Sequence, residues 1–163
     1  MTNSLQVFDL PSAVDWRNTA RNNGKRVVLT NGVFDLLHRG HVEYLKRSAA
    51  LGDLLLVALN SDISVRALKG PTRPLNCEED RSYIIANLRC VAATFVFDGP
   101  RLASEIRALR PDIYTKAGDY TIETLDTSER EALIAVGAEI HIMPFVPGHS
   151  TTGLIAKGAL GKA

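Results

Sequence analysis

The chain has 163 residues, a formal net charge of +1, 45% hydrophobic and 23% charged side chains. That is enough for one domain with a buried core, and the balance is that of a globular protein rather than a disordered one. The absence of a basic excess speaks against nucleic acid, no apolar run approaches a membrane span, and the first nine residues lack the make-up of a signal peptide, so no nucleic acid, no membrane and a cytoplasmic location are expected.

Residues 1–10 carry little signal. A helix is expected over 11–22, with Val14, Trp16 and Ala20 on its apolar side and Asn23-Gly24 closing it. A strand follows over Lys25 to Thr30, then the stretch Asn31-Gly32-Val33-Phe34-Asp35-Leu36-Leu37-His38-Arg39-Gly40-His41, then a helix from Gly40 to Leu51. Gly32 removes a side chain where the chain turns sharply or approaches a ligand. His38 and His41, bracketing Gly40, fall on one face of the first helical turn. Unpaired N–H groups and partial positive charge at a helix start attract phosphate, and two imidazoles add donors there.

The apolar run Asp53 to Asn60 suits a strand buried on both faces, and Asn60-Ser61-Asp62 opens a short helix, Ile63 to Leu68. Lys69-Gly70-Pro71-Thr72-Arg73-Pro74 is a loop carrying two cations, suited to neutralising charge on a transferring group. A helix over Asn76 to Leu88 is capped by Asn76 and contains Arg81, whose simplest partner is Glu78 one turn earlier. Strands at Ala92 to Phe97, Ile113 to Lys116 and Glu139 to Met143 alternate with helices at Leu102 to Leu109, Ser128 to Val136 and Gly153 to Lys157. Cys77 and Cys90 lack metal-ligand spacing and read as free thiols; no protein-held metal is assigned.

Five strands alternating with helices predict an α/β fold: a single doubly wound, Rossmann-like domain over 1–163, its five-stranded parallel sheet covered on both faces and its core at about 25–157. Right-handed crossovers gather the strand ends on one edge. The polar stretches fall there: Asn31 to His41, Asn60 to Asp62, Lys116-Ala117-Gly118-Asp119-Tyr120, and His149-Ser150-Thr151-Thr152.

Gly32-Val33-Phe34-Asp35 with His38-Arg39-Gly40-His41 resembles the paired motif of the cytidylyltransferase-like nucleotidyltransferases. The resemblance covers about residues 26–157, and Ser150-Thr151-Thr152 matches a later motif. Asn60-Ser61-Asp62, Leu68-Lys69-Gly70, Arg73-Pro74, Asn76, Arg81, Lys116 to Tyr120 and Pro144 to Thr152 are similar to the heptose 1-phosphate adenylyltransferases. Phe145 stands where the glycerol and choline phosphate branch carries an arginine. Ala117 and His149 stand where the heptose branch commonly has glycine and cysteine.

The resemblance implies ATP as substrate with Mg²⁺, a sugar 1-phosphate as acceptor, and release of pyrophosphate by direct displacement. A cytidylyltransferase acting on a polyol or amino-alcohol phosphate is the alternative. His38, His41, Lys69, Arg73 and Thr151 are the expected catalytic groups. Asn31, Gly32, Val33, Phe34, Gly40, Arg81, Asp119, Ser150 and Thr152 are expected at the nucleotide. Asp35, Asn60, Asp62, Lys116 and Gly118 are expected at the acceptor, with Asp35 on a sugar hydroxyl or organising Mg²⁺. A homodimer is compatible with the resemblance, the helix at 76–88 being the candidate interface.

Overall fold

Successive side chains of a strand point to opposite faces of a sheet, so the continuous apolar runs of the central strands bury both faces and determine the architecture. The computed structural model describes residues 6–118 and 120–144, together with 148, 153, 155 and 158. In chain order the elements are β1 (Val7–Phe8), α1 (Leu10–Asn22), β2 (Val27–Gly32), α2 (Arg39–Ala49), β3 (Leu54–Asn60), α3 (Asp62–Lys69), α4 (Glu78–Ala86), β4 (Ala93–Phe97), α5 (Ala103–Leu109), β5 (Ile113–Ala117), α6 (Thr127–Val136) and β6 (Glu139–Met143). The strands form one parallel sheet in the order β1-β4-β3-β2-β5-β6.

The sheet separates two cores. Leu29, Leu56, Phe95 and Tyr114 point to the face covered by Ala13 and Ala20 of α1, Ile106 and Leu109 of α5, and Ala132 and Leu133 of α6. Val28, Leu55, Val57 and Ile113 point to the opposite face, against Tyr44 and Leu45 of α2 and Ile85 of α4. The doubly wound α/β fold expected from the sequence is therefore present, with six strands rather than five. The additional strand, β1, is two residues long and pairs with the outer edge of β4. A segment that short has no periodicity to detect.

Two further expectations need correction. The helix placed at 76–88 is α4, Glu78–Ala86, and Cys77 rather than Asn76 is its N-cap; Asn76 is engaged elsewhere. Arg81 pairs with Asp62 of α3, not with Glu78. Gly137 does close α6 in the left-handed conformation, φ 72°, as its position after Val136 predicts. Of the helix expected at 153–157, Gly153 and Ile155 are helical and the rest lies outside the described residues.

Strand order sets the site. From β2 the chain proceeds through β3 to β4 in one direction, then crosses back to β5 and β6 on the other side. The crevice between the C-terminal ends of β2 and β5 is thus the switch point where such sheets bind ligands. At the opposite edge, Arg17 of α1 is fully buried and donates to Asp112 Oδ2 at 2.9 Å and to the carbonyl of Arg110 at 3.0 Å. Asp112 also accepts the N–H of Val27 at 2.7 Å. This clasp joins α1, β2 and the start of β5 far from the crevice. Arg17→Ala is expected to lower the unfolding free energy by about 2 kcal/mol, the magnitude of a charged hydrogen bond lost, while leaving kcat unchanged; urea denaturation and a steady-state assay check the two halves.

Candidate active site

The turn after β2 is shaped by a glycine and an aromatic ring. Phe34 has φ 48°, unusual for a residue with a side chain, and its ring folds back against Gly32. A Cβ at Gly32 would lie 2.8 Å from Phe34 Cε2. The close approach that Gly32 allows is therefore to Phe34, which also meets His41 edge-on at 5.5 Å between centroids. His38 is the N-cap of α2. The two imidazoles stack at 3.8 Å with 23° between their planes, so the pair expected on one face is brought together.

The His38 N–H donates to His41 Nδ1 at 3.3 Å. Because Nδ1 accepts, the neutral His41 ring carries its proton on Nε2. His41 lines a cleft of about 180 Å³, together with Asn31 to Asp35, Tyr44, Lys69, Arg73, Lys116 and Ala117. Burial, then the neighbouring His38 and Lys69, push the His41 pKa down to about 4. It is thus a neutral hydrogen-bond donor at pH 7. Around it the N–H groups of Arg39 and Gly40 have no hydrogen-bond acceptor among the described residues. A helix start so arranged suits an anion.

Three cations reach this cleft. Lys69 ends α3, and burial followed by the nearby Arg73 lowers its pKa. Lys116, next to last in β5, donates to Asn31 Oδ1 at 2.9 Å, an oxygen shared with the Tyr114 hydroxyl. Burial lowers the Lys116 pKa as well. Arg73 is held by Asp35, with Nε 2.7 Å and Nη2 2.6 Å from Oδ2. Three positive groups against one paired carboxylate leave the cleft electropositive.

Asp35 is the acidic residue of this lining, and its bonds correct the role expected of it. The carboxylate is 4% exposed and accepts the N–H groups of Leu75 and Asn76 at 2.8 and 2.9 Å besides the Arg73 guanidinium. Burial would raise its pKa, but the Asn76 and Leu75 N–H groups and Arg73 outweigh that and hold it below the usual carboxylate range. Asn76 Nδ2 returns a bond to the Asp35 carbonyl at 2.7 Å. Asp35 therefore latches the 70–76 loop and aims Arg73. It is committed to three donors, the Leu75 and Asn76 N–H groups and the Arg73 guanidinium, and does not fit as a ligand for Mg²⁺.

Arg81, Asp62 and Asn60 are not among the described residues that line the cleft. Arg81 is 1% exposed and donates to the carbonyls of Val33 and Asn76 and to Asp62 Oδ1, at 2.7, 3.0 and 2.7 Å. It pins the turn from behind. Asn60, the last residue of β3, donates to Ser64 Oγ in the first turn of α3. Gly118 and Gly40 are buried in backbone positions beside the cleft, with the Gly118 N–H on the Met143 carbonyl. Asp119, Ser150, Thr151 and Thr152 lie outside the described residues.

Tyr44 of α2 is a residue that the sequence analysis does not single out. Its hydroxyl lies 2.6 Å from Thr30 Oγ1 and 3.1 Å from Thr115 Oγ1, and Thr115 donates to Ser48 Oγ at 2.9 Å. This buried chain fixes α2, which carries the histidines, to the strands that carry Asn31 and Lys116. A polar atom on an otherwise apolar helical face was the available signal.

A neutral imidazole, the first-turn N–H groups of α2 and three cations converge at the switch point of a doubly wound sheet, an arrangement that suits an anion. The fold and this site are those of a nucleotidyltransferase. Residues 29–156 match the model of the Cytidylyltransferase-like family, and the chain belongs to that family. It is 47% identical over 137 residues, 84% of its length, to the bifunctional protein HldE of Syntrophotalea carbinolica, and 43% identical over 139 residues, 85% of its length, to the HldE of Helicobacter pylori strain G27. The chain spans only 28% and 29% of those two proteins. The crystal structure of the lipopolysaccharide core biosynthesis protein from Thermoplasma volcanium is similar at 30% identity and a TM-score of 0.61, over 76% of this chain and 98% of that one. No helix among the described residues is long and apolar enough to cross a membrane.

Three outcomes are expected from this geometry. NMR titration of the free protein should give a His41 midpoint near pH 4, moving upward when ATP is added because the phosphates favour the imidazolium. The unfolded chain takes up that proton near pH 6.5 and the folded one only near 4, so stability should fall as pH falls through this window. Asp35→Asn should release Arg73 and lower kcat/KM for the nucleotide by about 10-fold or more, the effect of losing a charged hydrogen bond; steady-state kinetics read it directly.

Proposed function

We propose that the chain transfers AMP from ATP to a sugar 1-phosphate, in the first instance D-glycero-β-D-manno-heptose 1-phosphate, giving ADP-heptose and pyrophosphate. The observation that carries the reading is the convergence of His41, Lys69, Arg73 and Lys116 on one cleft at the exit of β2. The likeness to HldE proteins and to a lipopolysaccharide core biosynthesis protein supports the choice of sugar. So do the motifs Leu68-Lys69-Gly70, Arg73-Pro74 and Lys116 to Tyr120. The product would serve the lipopolysaccharide inner core or a glycosylated natural product.

The chemistry is a direct displacement. An ionised oxygen of the acceptor phosphate attacks the α-phosphorus of ATP, one P–O bond forms, and the bond to the bridging oxygen breaks as pyrophosphate leaves. The attacking oxygen needs no general base, and the described cleft holds no Ser or Cys paired with one. What the protein supplies is position and charge. His41 Nε2 and the first-turn N–H groups of α2 hold the departing phosphates. Lys69 and Arg73 face the phosphoryl group in transfer, and Lys116 holds the acceptor phosphate. Mg²⁺ would neutralise phosphate charge when bound. The protein's own carboxylate at the cleft, Asp35, is already occupied, so no step here depends on a protein-held metal.

Pyrophosphate release is the test, measured with ATP and CTP against heptose 1-phosphate, glycerol 3-phosphate and choline phosphate. ATP with the heptose is expected to dominate. Preference for CTP with a polyol phosphate would replace the reading by its sister reaction, and binding of ATP without any turnover would overturn it. His41→Ala should lower kcat by about 10²–10³-fold with the fold intact, as removal of one transition-state donor does.

A further inference from the structure

Beyond Lys116 lies a second cavity of about 160 Å³, lined by Arg101, Lys116, Tyr120, Thr124, Asp126 and Glu129. These residues come from the approach to α5, the end of β5, the connection that follows it, and the N-cap and first turn of α6. Lys116 lines both this cavity and the cleft. The two differ in charge. The cleft sets three cations against one paired carboxylate, whereas the side cavity sets Arg101 and Lys116 against Asp126 and Glu129. It is polar and balanced, so it offers little to a second phosphate.

The two carboxylates are not equivalent. Asp126 caps α6, accepting the N–H groups of Ser128 and Glu129, and pairs with Arg101 at 2.8 Å. Glu129 is 4% exposed; its Oε1 accepts the N–H of Leu102 at 2.9 Å, and its Oε2 has no hydrogen bond among the described residues. A carboxylate oxygen on the wall of this cavity can accept a hydrogen bond from a donor that enters it. An anion is refused by Glu129 itself; a hydroxyl is not. Lys116 has used one of its three N–H groups on Asn31. The Tyr120 side chain is partly exposed at the rim and its hydroxyl has no partner among the described residues. Acceptors, donors and an aromatic face, at balanced charge, are what a polyhydroxylated ring requires.

We propose that this side cavity seats the sugar ring of the acceptor, with Glu129 accepting ring hydroxyls and Lys116 bridging the ring and its phosphate. The inference rests on the acceptor being a sugar phosphate, as proposed above. It divides the site by charge: phosphates in the cleft, hydroxyls beyond Lys116. The ribose of the nucleotide is the other polyol that the same chemistry would take, and kinetics separate the two.

The test compares the wild type with Glu129→Gln and with Tyr120→Phe, which removes a rim hydroxyl without touching the core. KM is measured for heptose 1-phosphate and for ATP, and calorimetry measures binding of heptose 1-phosphate and of inorganic phosphate. Glu129→Gln should raise the acceptor KM by about tenfold or more with the ATP KM little changed, and should weaken heptose 1-phosphate binding but not phosphate binding. Tyr120→Phe should act in the same direction, and it stands in if Glu129→Gln fails to fold. An unchanged acceptor KM overturns the proposal, as does a shift in the ATP KM instead. If the wild type makes no nucleotide sugar, the reaction proposed above fails separately. Calorimetry then decides: weaker heptose 1-phosphate binding in the variant keeps the sugar seat, and equal or absent binding in both proteins removes it.

Discussion

A single carboxylate organises the reactive edge of this protein. Asp35 sits on the turn after β2, yet its bonds run to residues about forty positions later, where it holds the 70–76 loop by two backbone N–H groups and a guanidinium. Without it Arg73 would be a long cation on a loop containing two prolines and a glycine. With it, Arg73 is a fixed donor facing the same space as His41. The desolvation of the carboxylate is offset by charge-assisted bonds, and the outcome is a cleft assembled before any substrate enters. Arg81 does the same from behind, joining the carbonyl of Val33 to Asp62 and to the loop at Asn76.

Preorganisation extends below the cleft. The hydroxyls of Thr30, Tyr44, Thr115 and Ser48 form a run of hydrogen bonds between the sheet and α2. Each donor finds an acceptor, which is the condition under which a buried polar network rigidifies a core rather than weakening it. The histidine-bearing helix is thereby kept in register with Asn31 and Lys116. Catalysis by positioning needs that kind of rigidity, because displaced donors lose transition-state stabilisation steeply.

How much of this was legible in the sequence depended on the range of the interaction. The glycine turn and the histidine pair were readable because strand, turn and helix start are contiguous, so residue type and spacing alone fix their geometry. The two-sided burial of Leu54–Asn60 was readable for the same reason. The protein partners of Asp35 and Arg81 were not legible, since their bonds close over 40 and 48 residues. Tyr44 was hidden because a tyrosine on an apolar helical face looks like packing until Thr115, 71 positions away, is brought beside it. Strand β1 was hidden by brevity. Arg17 illustrates the converse: a charged residue on a helix reads as solvated, and only the Asp112 carboxylate and the Arg110 carbonyl explain its burial.

The Arg17 clasp lies at the sheet's N-terminal rim, where β2 and β5 begin, whereas the chemistry lies where they end. A strand of five or six residues separates the rims by roughly 17–20 Å. Mutational couplings between sites that far apart are usually small. Lineages carrying this fold can therefore adapt to growth temperature by altering one rim while the other diversifies toward new acceptors, the two histories leaving largely separate marks on the same short chain.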